Sequence, residues 1–133
     1  MRPHDLLPGT VVSVYVPIMT WHPGIVTETR LADGPTVVHN SKYVRRVTES
    51  TWTDFVTLQG RRLKIRVEGL PRVLPPGVVI ARARSRMDEP WDLFGNNCEH
   101  FVTWAHGMPR RSPQMENWVA AGGLGLLLSK LWR

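Results

Sequence analysis

The sequence predicts an α+β fold in one domain, and three observations predict it. The first half alternates β-branched and polar residues in short runs, as half-buried strands do. Beyond Pro75-Pro76-Gly77 the apolar positions take a helical spacing. A chain of 133 residues is the size of one domain with a modest core.

Val11 to Val16, Gly24 to Thr29 and Thr36 to His39 read as strands, punctuated by Pro8-Gly9, Pro17, Pro23-Gly24 and Asp33-Gly34-Pro35. The turn Ala32-Asp33-Gly34-Pro35 suggests an antiparallel hairpin. Tyr43 to Val47 and Leu63 to Val67 are further strands, flanking a short helical turn that begins near Thr51-Trp52-Thr53-Asp54-Phe55. A helix is expected near residues 77 to 87. Another opens at Cys98 with Asn97 as its cap and ends before Gly107 and Pro109. Ser112-Pro113-Gln114 opens a last, apolar helix within residues 112–133.

The formal charge is +6, which favours acidic partners. Arginines cluster at Arg45-Arg46, Arg61-Arg62, Arg82-Arg84-Arg86 and Arg110-Arg111, but no nucleic-acid-binding motif accompanies them, so a solvated, steering surface is expected and no nucleic-acid partner. Cys98 is the only cysteine, which excludes an intrachain disulfide and a four-thiolate zinc site. A reducing, cytoplasmic setting is the expectation.

A cysteine at a helix N-terminus has its thiolate stabilised by unpaired backbone N–H groups and the helix dipole, so a lowered thiol pKa is expected for Cys98. The same N–H groups suit the oxyanion of a tetrahedral intermediate. A thiolate nucleophile needs an imidazole, and that imidazole an orienting partner. His22 stands just before one strand and His39 ends the next, so an antiparallel pair brings both to one edge; His22 is assigned as base and His39 as orienting group. His4, His100 and His106 are read as surface or structural side chains. Two alternatives stay open on spacing: an inert buried cysteine, and a zinc site of Cys98 with two histidines.

The run Asn97-Cys98-Glu99-His100-Phe101-Val102 resembles the nucleophile motif of the lecithin:retinol acyltransferase-like family, relatives of NlpC-type peptidases with a circularly permuted papain-like fold. Trp21-His22-Pro23-Gly24-Ile25 is similar to that family's first histidine strand, and Val37-Val38-His39 to its second. The resemblance spans roughly residues 8 to 115 and is thin between Tyr43 and Pro75. It implies a single domain over residues 1–133 and a sheet carrying both histidines, packed against the helix that presents Cys98. It also implies a thiol acyltransferase or hydrolase in which Cys98 is nucleophile, His22 base and His39 third residue, working through an acyl-cysteine on a lipid ester, without metal or cofactor. Two departures stand out. The family's tyrosine two positions before the first histidine is Thr20 here, leaving Thr20 and Asn97 as the oxyanion and supporting residues, and the aromatic after that histidine is Pro23. A peptidase or amidase with the same three residues, and an inactive protein-binding module, are the alternatives.

Trp118 to Leu128 is the most apolar run, too short to span a bilayer core as a helix. Packing on the protein's own sheet or on another copy is the preferred reading of residues 118–133. The alternative is peripheral membrane contact, with Trp118, Lys130, Trp132 and Arg133 at headgroup depth.

Overall fold

The structure, a computed structural model, describes residues 2–17, 20–92 and 97–108. A five-stranded antiparallel sheet runs in the order β4-β3-β2-β1-β7. Its strands are β1 (Val11–Val16), β2 (Thr20–Leu31), β3 (Gly34–Ser41), β4 (Arg46–Ser50) and β7 (Ile65–Gly69). Between β4 and β7 come the short helix α1 (Trp52–Val56) and the ribbon of β5 (Thr57–Leu58) with β6 (Arg61–Arg62). The helices α2 (Pro76–Ser85) and α3 (Cys98–Ala105) follow. The fold is the α+β arrangement expected, and the apolar helix expected within 112–133 lies outside the described residues.

Alternation along the strands divides the interior in two. Val11, Ile25, Val38 and Val47 pack with Val79, Ile80 and Ala83 of α2 and Phe101, Val102 and Ala105 of α3. Val12, Val14, Val16, Val26 and Val37 point the other way and pack with Trp52, Phe55 and Val56 of α1. β3 lies between β2 and β4 with α1 on one face and α3 on the other, so all its residues are buried.

The hairpin read from Ala32 to Pro35 joins β2 to β3, with Leu31 opposite Gly34. Gly34 has φ of +143°, and a Cβ there would come within 2.9 Å of Pro3 and 3.1 Å of Trp52, so glycine serves both the turn and the close approach. Thr51 caps α1 by accepting a hydrogen bond from the Asp54 amide at 3.1 Å, as the helical-turn reading requires.

Two strand expectations need correction. Tyr43 to Val47 is not one strand: residues 42–45 form a turn, Arg45 sits at φ of 60°, and β4 starts at Arg46. The cause is Ser41, whose Oγ accepts from the amides of Tyr43 and Val44, both at 3.2 Å, and so holds a local turn against the ladder. The strand placed at Leu63 to Val67 is shifted to Ile65–Gly69, where it pairs with β1. β2 is also longer than Gly24 to Thr29 and includes Pro23, opposite Ser13 of β1.

Gly24 sets how closely α1 approaches the sheet. A Cβ there would lie 2.5 Å from Cγ1 of Val37 and 2.9 Å from Cε1 of Phe55. Gly24→Ala should therefore lower unfolding free energy by about 1–3 kcal/mol through overpacking, read as a shift in the urea midpoint at unchanged slope.

Candidate active site

The strands that pair also place the histidines. His22 lies opposite Val14 and His39 opposite Thr48, so both rings emerge on the α1 face of the sheet. Nε2 of His22 and Nδ1 of His39 are 2.8 Å apart, a hydrogen bond in which one nitrogen carries the proton. Two imidazoles on one zinc at ~2.0–2.1 Å with tetrahedral angles would hold their nitrogens about 3.4 Å apart, so this pair has the spacing of a hydrogen bond. Phe55 supports both rings, with centroids 5.9 Å from His22 and 5.1 Å from His39.

The chain of hydrogen bonds continues. Nε2 of His39 is 2.8 Å from Oγ of Ser50, on the neighbouring strand β4. Sequence reading missed Ser50. Its signal lies in the register, since His39 pairs with Thr48 and Ser50 is the diagonal neighbour two positions on, on the same face.

Burial governs the charge state of the pair. It pushes His22 down to about 4, and it pushes His39 down to about 3 with help from the charge of His22. Both rings are neutral at pH 7. They line a groove of about 440 Å³ whose walls mix Val14, Val16, Leu58 and Leu63 with polar groups such as Ser41 and Thr48.

Cys98 opens α3 as expected. Oδ1 of Asn97 caps the helix by accepting from the amides of Glu99 at 3.1 Å and His100 at 3.0 Å. Cys98 shares a helix face with Phe101, Val102 and Ala105, so it looks toward the sheet. The body of α3 packs on the face opposite the one from which the imidazoles emerge. The hydrogen bonds run His22 to His39 to Ser50 and, among the described residues, do not extend to Cys98. The structure therefore joins the two histidines to each other and adds Ser50.

The lowered thiol pKa expected for Cys98 is overturned. Burial, aided by the Glu99 carboxylate next to it, pushes the thiol up to about 12. The backbone N–H groups of Glu99 and Cys98 and the charge of Lys42 pull the other way, as the helix-terminus argument requires, but are outweighed. Lys42 directly follows Ser41, which lines the groove with His22 and His39.

Thr20 is exposed at the start of β2, opposite Val16 and on the face of His22. Of the remaining histidines, His106 is fully buried with Nε2 3.0 Å from the Gly9 carbonyl, and His4 reaches the Leu31 carbonyl at 2.8 Å. His100 is half-buried on α3. Among the described residues no helix is long and apolar enough to cross a membrane.

Comparison with known proteins gives one family. A family model described as lecithin retinol acyltransferase matches residues 15–108, a span that contains Thr20, His22, His39, Ser50 and Cys98. No curated protein matches the chain.

Proposed function

Because the chain belongs to the lecithin retinol acyltransferase family, we propose that it is a thiol-dependent acyltransferase or hydrolase acting on lipid esters through an acyl-cysteine at Cys98. The observation that carries this reading is the hydrogen-bonded pair of neutral imidazoles at the wall of a partly apolar groove, with His39 buried and His22 half-buried and hydrogen-bonded only through its Nε2. In the reading, Sγ of Cys98 forms a bond to the ester carbonyl carbon as its proton passes to Nδ1 of His22. The bond to the leaving alkoxide then breaks, and His22 returns the proton to it. Water or an acceptor hydroxyl or amine attacks the thioester next and regenerates the thiol.

His39 orients His22 in this scheme, and the N–H groups of Cys98 and Glu99 with the Thr20 hydroxyl receive the oxyanion. Asn97 contributes by holding the helix start, since its Oδ1 is committed to the cap. The resting thiol and imidazole are both neutral, so the proton moves as the new bond forms, in place of a standing ion pair. The hydrogen bonds that stop at His22 in the free enzyme are of the kind that tighten with substrate bound. The cytoplasmic setting belongs to the same proposal, and a lipid substrate shifts the balance for residues 118–133 from packing on the sheet toward peripheral membrane contact.

A binding module without catalysis is the competing reading, and the raised thiol pKa is what favours it. Incubation with phosphatidylcholine, a p-nitrophenyl acyl ester or a peptide, followed by intact-mass analysis, separates the three readings. A fatty-acyl adduct that disappears in Cys98→Ala is the expected result. Peptide cleavage without such an adduct supports the amidase alternative, and no adduct or product from any of them supports the binding module.

A further inference from the structure

The proton inventory of the His22, His39 and Ser50 chain has only two solutions, and they differ in what His22 can do. In the first, His22 donates from Nε2 to Nδ1 of His39, and His39 donates from its own Nε2 to Ser50 Oγ. His22 then keeps a lone pair on Nδ1. In the second, Ser50 donates to His39 Nε2, His39 donates from Nδ1 to His22 Nε2, and the proton of His22 sits on Nδ1, where it blocks proton acceptance. Both contacts measure 2.8 Å and admit either direction.

We infer that Ser50 is a positioning residue: its hydroxyl accepts the Nε2–H of His39 and thereby leaves His22 with a basic Nδ1. This rests on the proposed role of His22 as base. Ser50 is aimed by the strand alternation of β4. Its neighbour Glu49 is drawn toward α2, where Arg84 holds both carboxylate oxygens at 3.0 and 3.1 Å, so the next residue turns to the histidine side. Removing the acceptor penalises the first solution more than the second, because a buried N–H without a partner is rarer and costlier than an under-used nitrogen lone pair. The titratable side chains that line the groove with the pair are Asp54 from α1 and Tyr43 from the turn after β3, while the Glu49 carboxylate is held away from it by Arg84 and Thr36; His22 and His39 come from β2 and β3.

The test uses the full chain and three variants, Ser50→Ala, Ser50→Thr and Ser50→Asp. Long-range nitrogen-proton NMR reads the tautomers of His22 and His39, and hydrolysis of a p-nitrophenyl ester reads kcat, KM and the acid limb of the pH profile. In the wild type His39 should carry its proton on Nε2. Ser50→Ala should shift it toward Nδ1 and lower kcat about 10- to 100-fold with KM changed less than about 2-fold. Ser50→Thr, which keeps the hydroxyl, should restore the wild-type tautomer. Ser50→Asp, an acceptor only, should fix Nε2–H and move the acid limb up by about one pH unit or more. Wild-type tautomers in Ser50→Ala, or an unmoved acid limb in Ser50→Asp, overturn the inference. If Ser50→Ala does not fold, the other two variants decide it. Tautomers that respond to Ser50 in a protein without Cys98-dependent turnover would sink the proposed activity and leave the role of Ser50 standing.

Discussion

On the proposed mechanism Cys98→Ala should lose turnover by a factor on the order of 10⁴ or more while keeping the fold, because a nucleophile has no substitute in covalent catalysis. Its side chain is half-buried at the first turn of α3, where alanine leaves only a small void. Thermal unfolding should therefore move by a few degrees at most, and ester hydrolysis should vanish. The wild type gives a companion result in the absence of substrate. A thiol pushed up to about 12 is almost wholly protonated at pH 7, so iodoacetamide should alkylate Cys98 more slowly than a free thiol of pKa ~8.5. The sign follows from the direction of the shift: a raised thiol pKa lowers the thiolate fraction. The alkylation rate of Cys98 should keep climbing between pH 9 and 11, where that of a free thiol has levelled off. Rapid alkylation at pH 7 would show that the neutral thiol is not its working state in solution.

Phe55→Ala is expected to have the largest effect on stability. The ring is buried among Trp52, Val37 and the histidines, touches the space above Gly24, and supports both imidazoles. Removing a buried phenylalanine costs about 3–5 kcal/mol, a large share of the ~5–15 kcal/mol that a domain possesses. The damage should not stop at stability. Without the ring, water reaches His22 and His39, and the burial that holds their pKa values at about 4 and 3 weakens. Their titration, followed by proton NMR, should rise toward the ordinary value of ~6.5 in whatever fraction stays folded. Phe55→Leu should recover most of the stability and keep the titration low. Unchanged histidine titration in a folded Phe55→Ala protein would refute this role for the ring.

What was legible in the sequence was local chemistry. Asn97 announced the start of α3, Thr51 that of α1, and Asp33-Gly34 the hairpin, because caps and tight turns are decided by a few neighbouring residues. The meeting of His22 and His39 followed from the same hairpin. The start of β4 was misread because a single hydroxyl, Ser41, competes with the ladder, and nothing in the apolar pattern of Tyr43-Val44 records that. The thiol was misread for a different reason. Glu99 suits the positive end of a helix, yet the same carboxylate opposes a thiolate beside it, and the burial that outweighs the dipole exists only once α3 is docked on the sheet. Ser50 and the buried His106 needed the register of β3 with β4 and the packing of the segment around Gly9, which are tertiary facts.

The sheet that separates the two cores also separates two kinds of mutational tolerance. Side chains on its α1 side shape the groove and the imidazoles, while those on its α2 and α3 side seat the helix that carries Cys98. Residues that do not touch across the partition contribute to stability nearly independently. The groove wall at Val14, Val16, Leu58 and Leu63 is thus open to remodelling by drift or by design without unseating the cysteine helix, so a lineage built on this scaffold has room to change what it accepts before it changes how it is held together.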